Sequence, residues 1–368
     1  MTNDAAPVDG TDTLAVSTGI AGLDEILAGG LPRHRVHLLE GDPGTGKTTI
    51  ALQFLREGAA RGETCLYVAL SETVDELRAV AQSHGWTLDA IHVYELTPSE
   101  GILTPEEQYT LFHPSEVELS DTIKSVVEQF SQLNPSRVVI DSLAEMRLLA
   151  SEPFRYRRQI LALKQFFVGR RATVVLIDDR SAHRGDLQVQ SIAHGVLRLE
   201  RRVADYGAER RRLEVIKLRG VKYKGGYHDF RIERGGVVVF PRIVAAEHRA
   251  QPEIEPLASG ITELDALLGG GLTTGTTTAI IGPAGVGKTV LATHYAAAVA
   301  ARELRGAIYL FDERLNTFTY RTRHIGVNPR SSTAISSQSS SSIRRRSHPA
   351  SLRRRFARGL RATVLGSC

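Results

Sequence analysis

The sequence predicts an α/β fold built on a parallel sheet flanked by helices, with antiparallel strands at one edge. Short apolar runs alternate with helix-length segments over roughly the first 180 residues, the rhythm of strand–helix–strand units. Four strand-like segments then follow one another with no helix between them. A glycine-rich turn joins one apolar run to the helical stretch behind it, as happens where a parallel strand hands over to its crossover helix.

In chain order, strands are expected near residues 36–40, 64–70, 91–94, 137–141 and 173–178. Helices are expected near 47–60, 73–84, 118–132 and 155–168. The segments VLRLERR, RLEVIKLRG, YHDFRIER and VVVFPRIV form the expected antiparallel edge, with Gly235-Gly236 as a hairpin turn.

Hydrophobic residues make up 42% of the 368 and aromatics 6%, enough for two domains or one large one and too apolar for wholesale disorder. No window of about 18 residues is uncharged and apolar, and the opening MTNDAAPVDGTDT is acidic where a signal peptide is basic and then apolar. Cys65 and Cys368 are the only cysteines, which excludes a disulfide framework and a cysteine-based zinc site. A soluble, cytoplasmic protein is expected, with no membrane partner.

The net charge of +5 is unevenly spread. From Pro329 to Cys368 there are nine arginines and no lysine, aspartate or glutamate, which leaves 37 basic against 41 acidic residues in the first 328. That body is net −4, so the overall charge is no argument for a nucleic-acid partner. Residues 329–368 are Ser/Arg-biased and lack a convincing amphipathic period, so a disordered tail is expected there.

The chain also repeats itself. Residues 17–49 match residues 258–290 at a constant offset of 241, with 13 of 33 positions identical, and HRAQPEIEP (248–256) lies between the copies as a linker. The expected organisation is a complete domain over 14–247, a linker over 248–256, an incomplete second domain over 257–328 and the tail over 329–368.

GDPGTGKT, from Gly41 through Asp42, Pro43, Gly44, Thr45, Gly46 and Lys47 to Thr48, satisfies GxxxxGK[ST] directly after the apolar run VHLLE. Glycines let backbone N–H groups curl around phosphates, the following helix turns its positive end toward them, Lys47 neutralises γ-phosphate charge, and Thr48 offers a hydroxyl to Mg²⁺. Thr49 continues the first helical turn and is expected among the nucleotide-binding residues. GPAGVGKT repeats the pattern after TTAII with Gly282, Gly285, Val286, Gly287, Lys288 and Thr289, the last again a candidate metal ligand. ATP and Mg²⁺ are therefore the expected ligands. RVVID ends in Asp141, either a carboxylate for the Mg²⁺ water shell or an N-cap of the next helix. Glu72 is either the base or water-orienting residue or a capping carboxylate. Asp178-Asp179 ends another strand, as a site pair or as a turn cap.

In order, TGIAGLDEILAGGLPRHRVHLLEGDPGTGKTT, HGW, VVIDSL, LIDDR, SIAHGVLRLE, RLEVIKLRG and GGYHDFRIERGGVVVFPR resemble the KaiC-type branch of RecA-like P-loop ATPases. The resemblance covers about residues 14–247 and 257–328 and implies a RecA-like core, an ATPase, and a homo-oligomeric, usually hexameric ring with nucleotide between subunits. It also implies that Lys217 and Arg219 of KLRG reach the adjacent subunit's γ-phosphate; as plain residues they are either a basic pair on a strand edge that could stabilise transition-state charge, as an arginine finger does, or solvated strand charges. Where the family commonly has two adjacent carboxylates, this chain has Ser71 and Glu72, so slow turnover is expected. In the second copy the pair is Asp312 and Glu313.

Three functions compete. A KaiC-like signalling or clock-type ATPase leads; a RecA- or RadA-like DNA-dependent ATPase is opposed by the acidic body; a non-hydrolysing nucleotide sensor is kept open by Ser71. Counterparts of Asp141 and Lys217 in the second copy fall beyond residue 368, so no autokinase site carries over. The tail reads as a frameshift rather than an evolved arginine-rich arm. Codons for Pro349-Ala350-Ser351-Leu352-Arg353 can give Pro-Gly-Glu-Phe-Ala in another frame, a string like one in second domains of the family.

Overall fold

A computed structural model describes residues 15–96, 114–150, 153–180, 188–203, 209–243, 254–302, 304, 306–310, 313–324, 326, 333–337 and 362–366. The chain divides into two compact units, one containing the described residues up to Arg242 and the other those from Ile243 onward.

The first unit begins with β1 (Ala15–Val16), α1 (Ala21–Ile26), β2 (Leu31–Pro32) and β3 (Val36–Gly41). Then come α2 (Lys47–Ala60), β4 (Cys65–Ala69), α3 (Val74–Ser83), β5 (His92–Glu95), α4 (Pro114–Leu133), β6 (Arg137–Asp141), α5 (Leu143–Leu149), α6 (Pro153–Gly169) and β7 (Thr173–Asp179). It closes with α7 (Gln188–Ile192), β8 (Gly195–Arg202), β9 (Arg210–Leu218), β10 (Tyr227–Glu233) and β11 (Gly236–Phe240). A nine-stranded sheet has the order β11-β10-β9-β8-β3-β7-β6-β4-β5. From β8 to β5 neighbours run parallel, and β9, β10 and β11 continue antiparallel as the expected edge. The hairpin turn passes through Gly235 at φ 100° and Gly236 at φ 109°, a region that only glycine enters without strain.

Burial on both faces explains why the parallel strands are apolar throughout instead of alternating. Leu39, Tyr67, Val139 and Ile177 pack with Ile20, Leu23, Phe54 and Leu55 on the α1–α2 side. Their chain neighbours Leu38, Leu66, Val138 and Leu176 pack with Phe130, Tyr156, Ile160 and Phe167 on the α4–α6 side. The expected helices and strands all form, and three short helices join them: α1, α5 and α7. At five to seven residues each, these are too short to show a helical period.

Arg137 opens β6 completely buried, the largest such side chain among the described residues. Its guanidinium pairs with Glu63, donates Nη1 to the carbonyls of Ser17 (2.7 Å) and Phe54 (2.8 Å), and stacks over the Phe54 ring at 4.8 Å. One cation thereby ties β6, α2 and the entry to β4 together. Gly58 makes room for it, since a β-carbon there would lie 2.5 Å from Arg137 Nε.

The second unit is smaller: β12 (Pro256–Leu257), α8 (Thr262–Leu267), β13 (Leu272–Thr273), α9 (Lys288–Ala301), β14 (Gly306–Leu310), α10 (Leu315–His324), β15 (Thr333–Ser337) and β16 (Ala362–Gly366). β14 lies between β15 and β16, both parallel to it. Of the tail expected to be disordered, the described residues are these two strands, TAISS and ATVLG; the rest lies outside the described residues. TTAII, the counterpart of VHLLE before the second glycine-rich loop, is not a strand, and Ile281 is 92% exposed. Its first-copy counterpart β3 is hydrogen-bonded on both sides, whereas TTAII has no strand neighbour among the described residues.

Arg137→Met leaves Glu63 without its cation and should cost the first unit about 3 kcal/mol, the usual scale for breaking a buried ion pair. Gly58→Ala should destabilise it as well. Guanidinium denaturation followed by circular dichroism checks both, with Lys124→Ala, at an exposed pair, as the neutral reference.

Candidate functional site

Four neighbouring strands, β3, β7, β6 and β4, each end at the same edge of the sheet with a polar group. β3 runs into the glycine-rich loop, β7 ends in Asp178 and Asp179, β6 ends in Asp141, and Glu72 lies just beyond β4. The carboxyl edge of a parallel sheet, where crossovers diverge, is the usual place for a ligand crevice.

The loop is shaped by its glycines. Gly44 has φ 74° and Gly46 φ 103°, the latter capping α2. A β-carbon on Gly46 would lie 2.6 Å from Ile232, and one on Gly41 2.8 Å from Leu199 O. Asp42 and Pro43 are exposed, while Thr45 is buried and donates its hydroxyl to Asp42 O at 2.7 Å. Lys47, 8% exposed, folds back over the loop and donates to Gly41 O (2.9 Å) and Asp42 O (3.2 Å) while pairing with Asp179. Thr49 turns its hydroxyl toward His84 Nε2 at 3.4 Å, so only its backbone belongs to the loop.

Thr48 Oγ1 donates to Asp141 Oδ2 at 3.3 Å, bringing the two expected metal ligands together. Asp141 is not a helix cap, because Ser142 holds the N-cap of α5. Tyr67 donates its hydroxyl to the same Asp141 oxygen at 2.5 Å. Burial pushes the Asp141 carboxyl above its ordinary range, against the pull of Tyr67 and Lys47. Glu72 is no cap either: Thr73 caps α3 in a reciprocal capping box with Glu76. Its Oε2 is buried without a hydrogen-bond partner. Burial first, then Asp141, Glu76 and Asp179, raise Glu72 from 4.5 to about 7, with Lys47 opposing.

A hydroxyl and one carboxylate are the start of a magnesium shell of the kind that phosphates and water complete. No cluster of three or more His, Cys, Asp or Glu able to hold a metal occurs among the described residues. The orphaned Glu72 oxygen and the open glycine loop fit a metal–triphosphate ligand.

Lys217 and Arg219 lie elsewhere. Lys217 pairs in register with Val196, level with Leu38 and three residues short of Gly41, about 10 Å along the strands. Together with Lys164 they hold the end of α7: Lys217 donates to Gln190 O, Arg219 to Ser191 O at 3.0 Å and Lys164 to Ile192 O at 2.8 Å. Burial, then Arg219 and Lys164, lowers Lys217. The Gln190 side chain in turn donates to Glu40 beside the loop at 2.7 and 3.0 Å.

Sequence reasoning missed Tyr67 and left Asp179 open. Tyr67 lies two residues before Ala69, the register partner of Asp141, so only strand pairing places it on that carboxylate. Arg201, near the end of β8, is a further cation by the loop, 3.6 Å from where a Gly44 β-carbon would be.

In the second unit Gly285 (φ 82°) and Gly287 (φ 93°) repeat the loop geometry, and Lys288 donates to Gly282 O (2.9 Å) and Pro283 O (2.7 Å). Val286 is exposed, and Thr289 lies in the first turn of α9 with no carboxylate bonded to its hydroxyl among the described residues. Glu313, the counterpart of Glu72, is held by Arg321 at 2.7 Å; Asp312 lies outside the described residues. β16 occupies the place that β6 has beside β4, with Gly366 where β6 has Asp141.

The family model for the KaiC ATPase matches residues 16–243 and 257–341. A UPF0273 protein of Aeropyrum pernix is 33% identical over 236 residues, 61% of this chain and 93% of its own length. Another, of Thermotoga maritima, is 32% identical over 237 residues, 61% of this chain and 96% of its own. The circadian clock oscillator protein KaiC of Synechococcus elongatus is 28% identical over 306 residues, 80% of this chain and 57% of its own length.

Since the fold raises Glu72, its ionisation costs stability: the contribution is intact below pH 4.5 and is lost as pH rises through about 7. Glu72→Gln should therefore melt about 2–4 °C above the parent at pH 8, for about 1 kcal/mol after solvent screening, and with it at pH 4.5. Melting curves at the two pH values check this.

Proposed function

The chain belongs to the KaiC family of ATPases, and from that premise we propose that its first unit binds ATP with Mg²⁺ and hydrolyses it slowly. The observation that carries the reading is the convergence of Thr48, Asp141 and the unpartnered Glu72 oxygen on the mouth of the Gly41–Thr48 loop.

Backbone N–H groups from Gly44 to Thr49 cradle the phosphates at the α2 N-terminus, and Lys47 neutralises the γ-phosphate. Thr48 and Asp141 hold Mg²⁺ directly or through water; the metal supplies charge neutralisation to the transferring phosphoryl group. Glu72, a single carboxylate beside Ser71, orients the attacking water and takes its proton. A carboxyl near 7 suits that task, since it accepts a proton yet is ionised in a useful fraction at neutral pH.

Lys217 and Arg219 are too far along β9 to serve their own loop. In a ring, usually hexameric in this family, they would meet the next subunit's nucleotide, so assembly and ATP occupancy are linked. The second loop, Gly282–Thr289, binds phosphate without hydrolysis, because its flanking strand β16 carries Gly366 in the Asp141 position. The protein works as a cytoplasmic signalling ATPase and not on DNA, in keeping with a body of net charge −4. No helix among the described residues is long and apolar enough to cross a membrane.

A non-hydrolysing sensor is the second reading, favoured by Ser71 in place of a carboxylate. Phosphate release separates the two. Glu72→Gln is expected to lose at least about a hundredfold in turnover while still binding ATP, on the scale of a lost general base. Unchanged turnover removes Glu72 from the mechanism, and no release by the parent favours the sensor. Size-exclusion chromatography with and without Mg-ATP should show a larger species only with nucleotide, reduced in Lys217→Ala/Arg219→Ala.

A further inference from the structure

An ammonium group has three donors, and in the first unit all three of Lys47's are committed. Two go to Gly41 O and Asp42 O, and the third to the Asp179 carboxylate. Strand register brings the pair within reach: Asp179 ends β7 directly opposite Gly41, the last residue of β3. The second loop is an internal comparison. Lys288 makes the same two backbone bonds, and no carboxylate pairs with it among the described residues. Two loops of one chain, GDPGTGKT and GPAGVGKT, thus differ in whether the lysine is held by an anion.

Asp179 also belongs to a group of like charges. It ends the strand next to the one that ends in Asp141, and its charge is the least of the causes that raise Asp141 and Glu72. Its side chain is 29% exposed, open to the crevice instead of sealed in the core.

We propose that Asp179 is a positioning residue that holds Lys47 away from phosphate in the free protein and makes nucleotide binding at the first loop depend on a divalent cation. The proposal rests on the ATP-site reading above and deepens it. A triphosphate can take Lys47 only by displacing Asp179. The displaced carboxylate stays at the end of β7, where it adds its negative charge to the acidic edge formed by Asp141 and Glu72, toward the γ-phosphate. A divalent cation offsets that repulsion; without one, binding meets both the broken ion pair and the uncompensated charge. Asn at this position keeps the shape and removes the charge.

The test uses the full chain with Lys288→Ala in every variant, so that only the first loop reports. A fluorescent ATP analogue is titrated in MgCl₂ and in EDTA. Asp179→Asn should bind about tenfold or more tightly in EDTA than the parent, the scale of one charge-assisted hydrogen bond, and the Mg²⁺-to-EDTA affinity ratio should shrink accordingly. Asp179→Glu should restore the parental ratio, which a merely structural role for the side chain would not do. Asp179→Ser serves as a second neutral variant, and melting curves identify any that fail to fold. Unchanged or weaker EDTA binding in folded Asn and Ser variants overturns the proposal. If Lys47→Ala binds as the parent does, the ATP-site reading fails and takes the proposal with it, a pattern distinct from the first.

Discussion

A strand persists only where neighbours take up its backbone hydrogen bonds, and in this protein that constraint decides which of two phosphate loops is mounted on a sheet. β3 is bonded to β7 on one side and β8 on the other, so the loop after it is held at a fixed point of a nine-stranded sheet. TTAII has the same pattern and leads into the same kind of loop, but among the described residues nothing pairs with it and it does not become a strand. The loop geometry survives nonetheless, since Gly285 and Gly287 set it locally. What is lost is the ring of side chains that adjacent strands bring to the loop.

Those side chains are poorly arranged for stability. Asp141, Glu72 and Asp179 crowd one crevice with Lys47 as the cation among them, and burial raises two of the three carboxyls. A crevice with unspent negative charge and an unpartnered Glu72 oxygen is what a site awaiting a metal–phosphate ligand should look like. The core around it is conventional by comparison. Arg137, the largest fully buried side chain among the described residues, is paired with Glu63 and holds the far end of β6, opposite the end that carries Asp141.

Much of the site is legible in the sequence alone. The loop residues Gly41 to Thr48 are identifiable because phosphate binding needs those residue types at fixed local spacing, within a single turn of chain. Asp141 was legible as the end of an apolar strand, though its competing reading as a cap fell only when Ser142 proved to hold that position. Tyr67 was not, because nothing local distinguishes it from a core tyrosine; its contact with Asp141 comes from β4–β6 register. Lys217 and Arg219 stood out as motif residues, but their grip on the carbonyls of α7, and through Gln190 their link to Glu40, depends on a five-residue helix with no periodic signal.

The sequence by itself determined the local matters: the apolar runs that become parallel strands, the two glycine loops, the acidic body with its arginine-rich end, and the repeat at an offset of 241. These follow from side-chain period, backbone freedom and charge, which act over a few residues. Only the tertiary structure decided that Asp179 closes on Lys47, that Glu72 is left without a partner, and that the second loop has no strand beneath it. Each depends on which strands lie side by side and in what register, and strand order is set by packing across the whole sheet rather than by any segment within it.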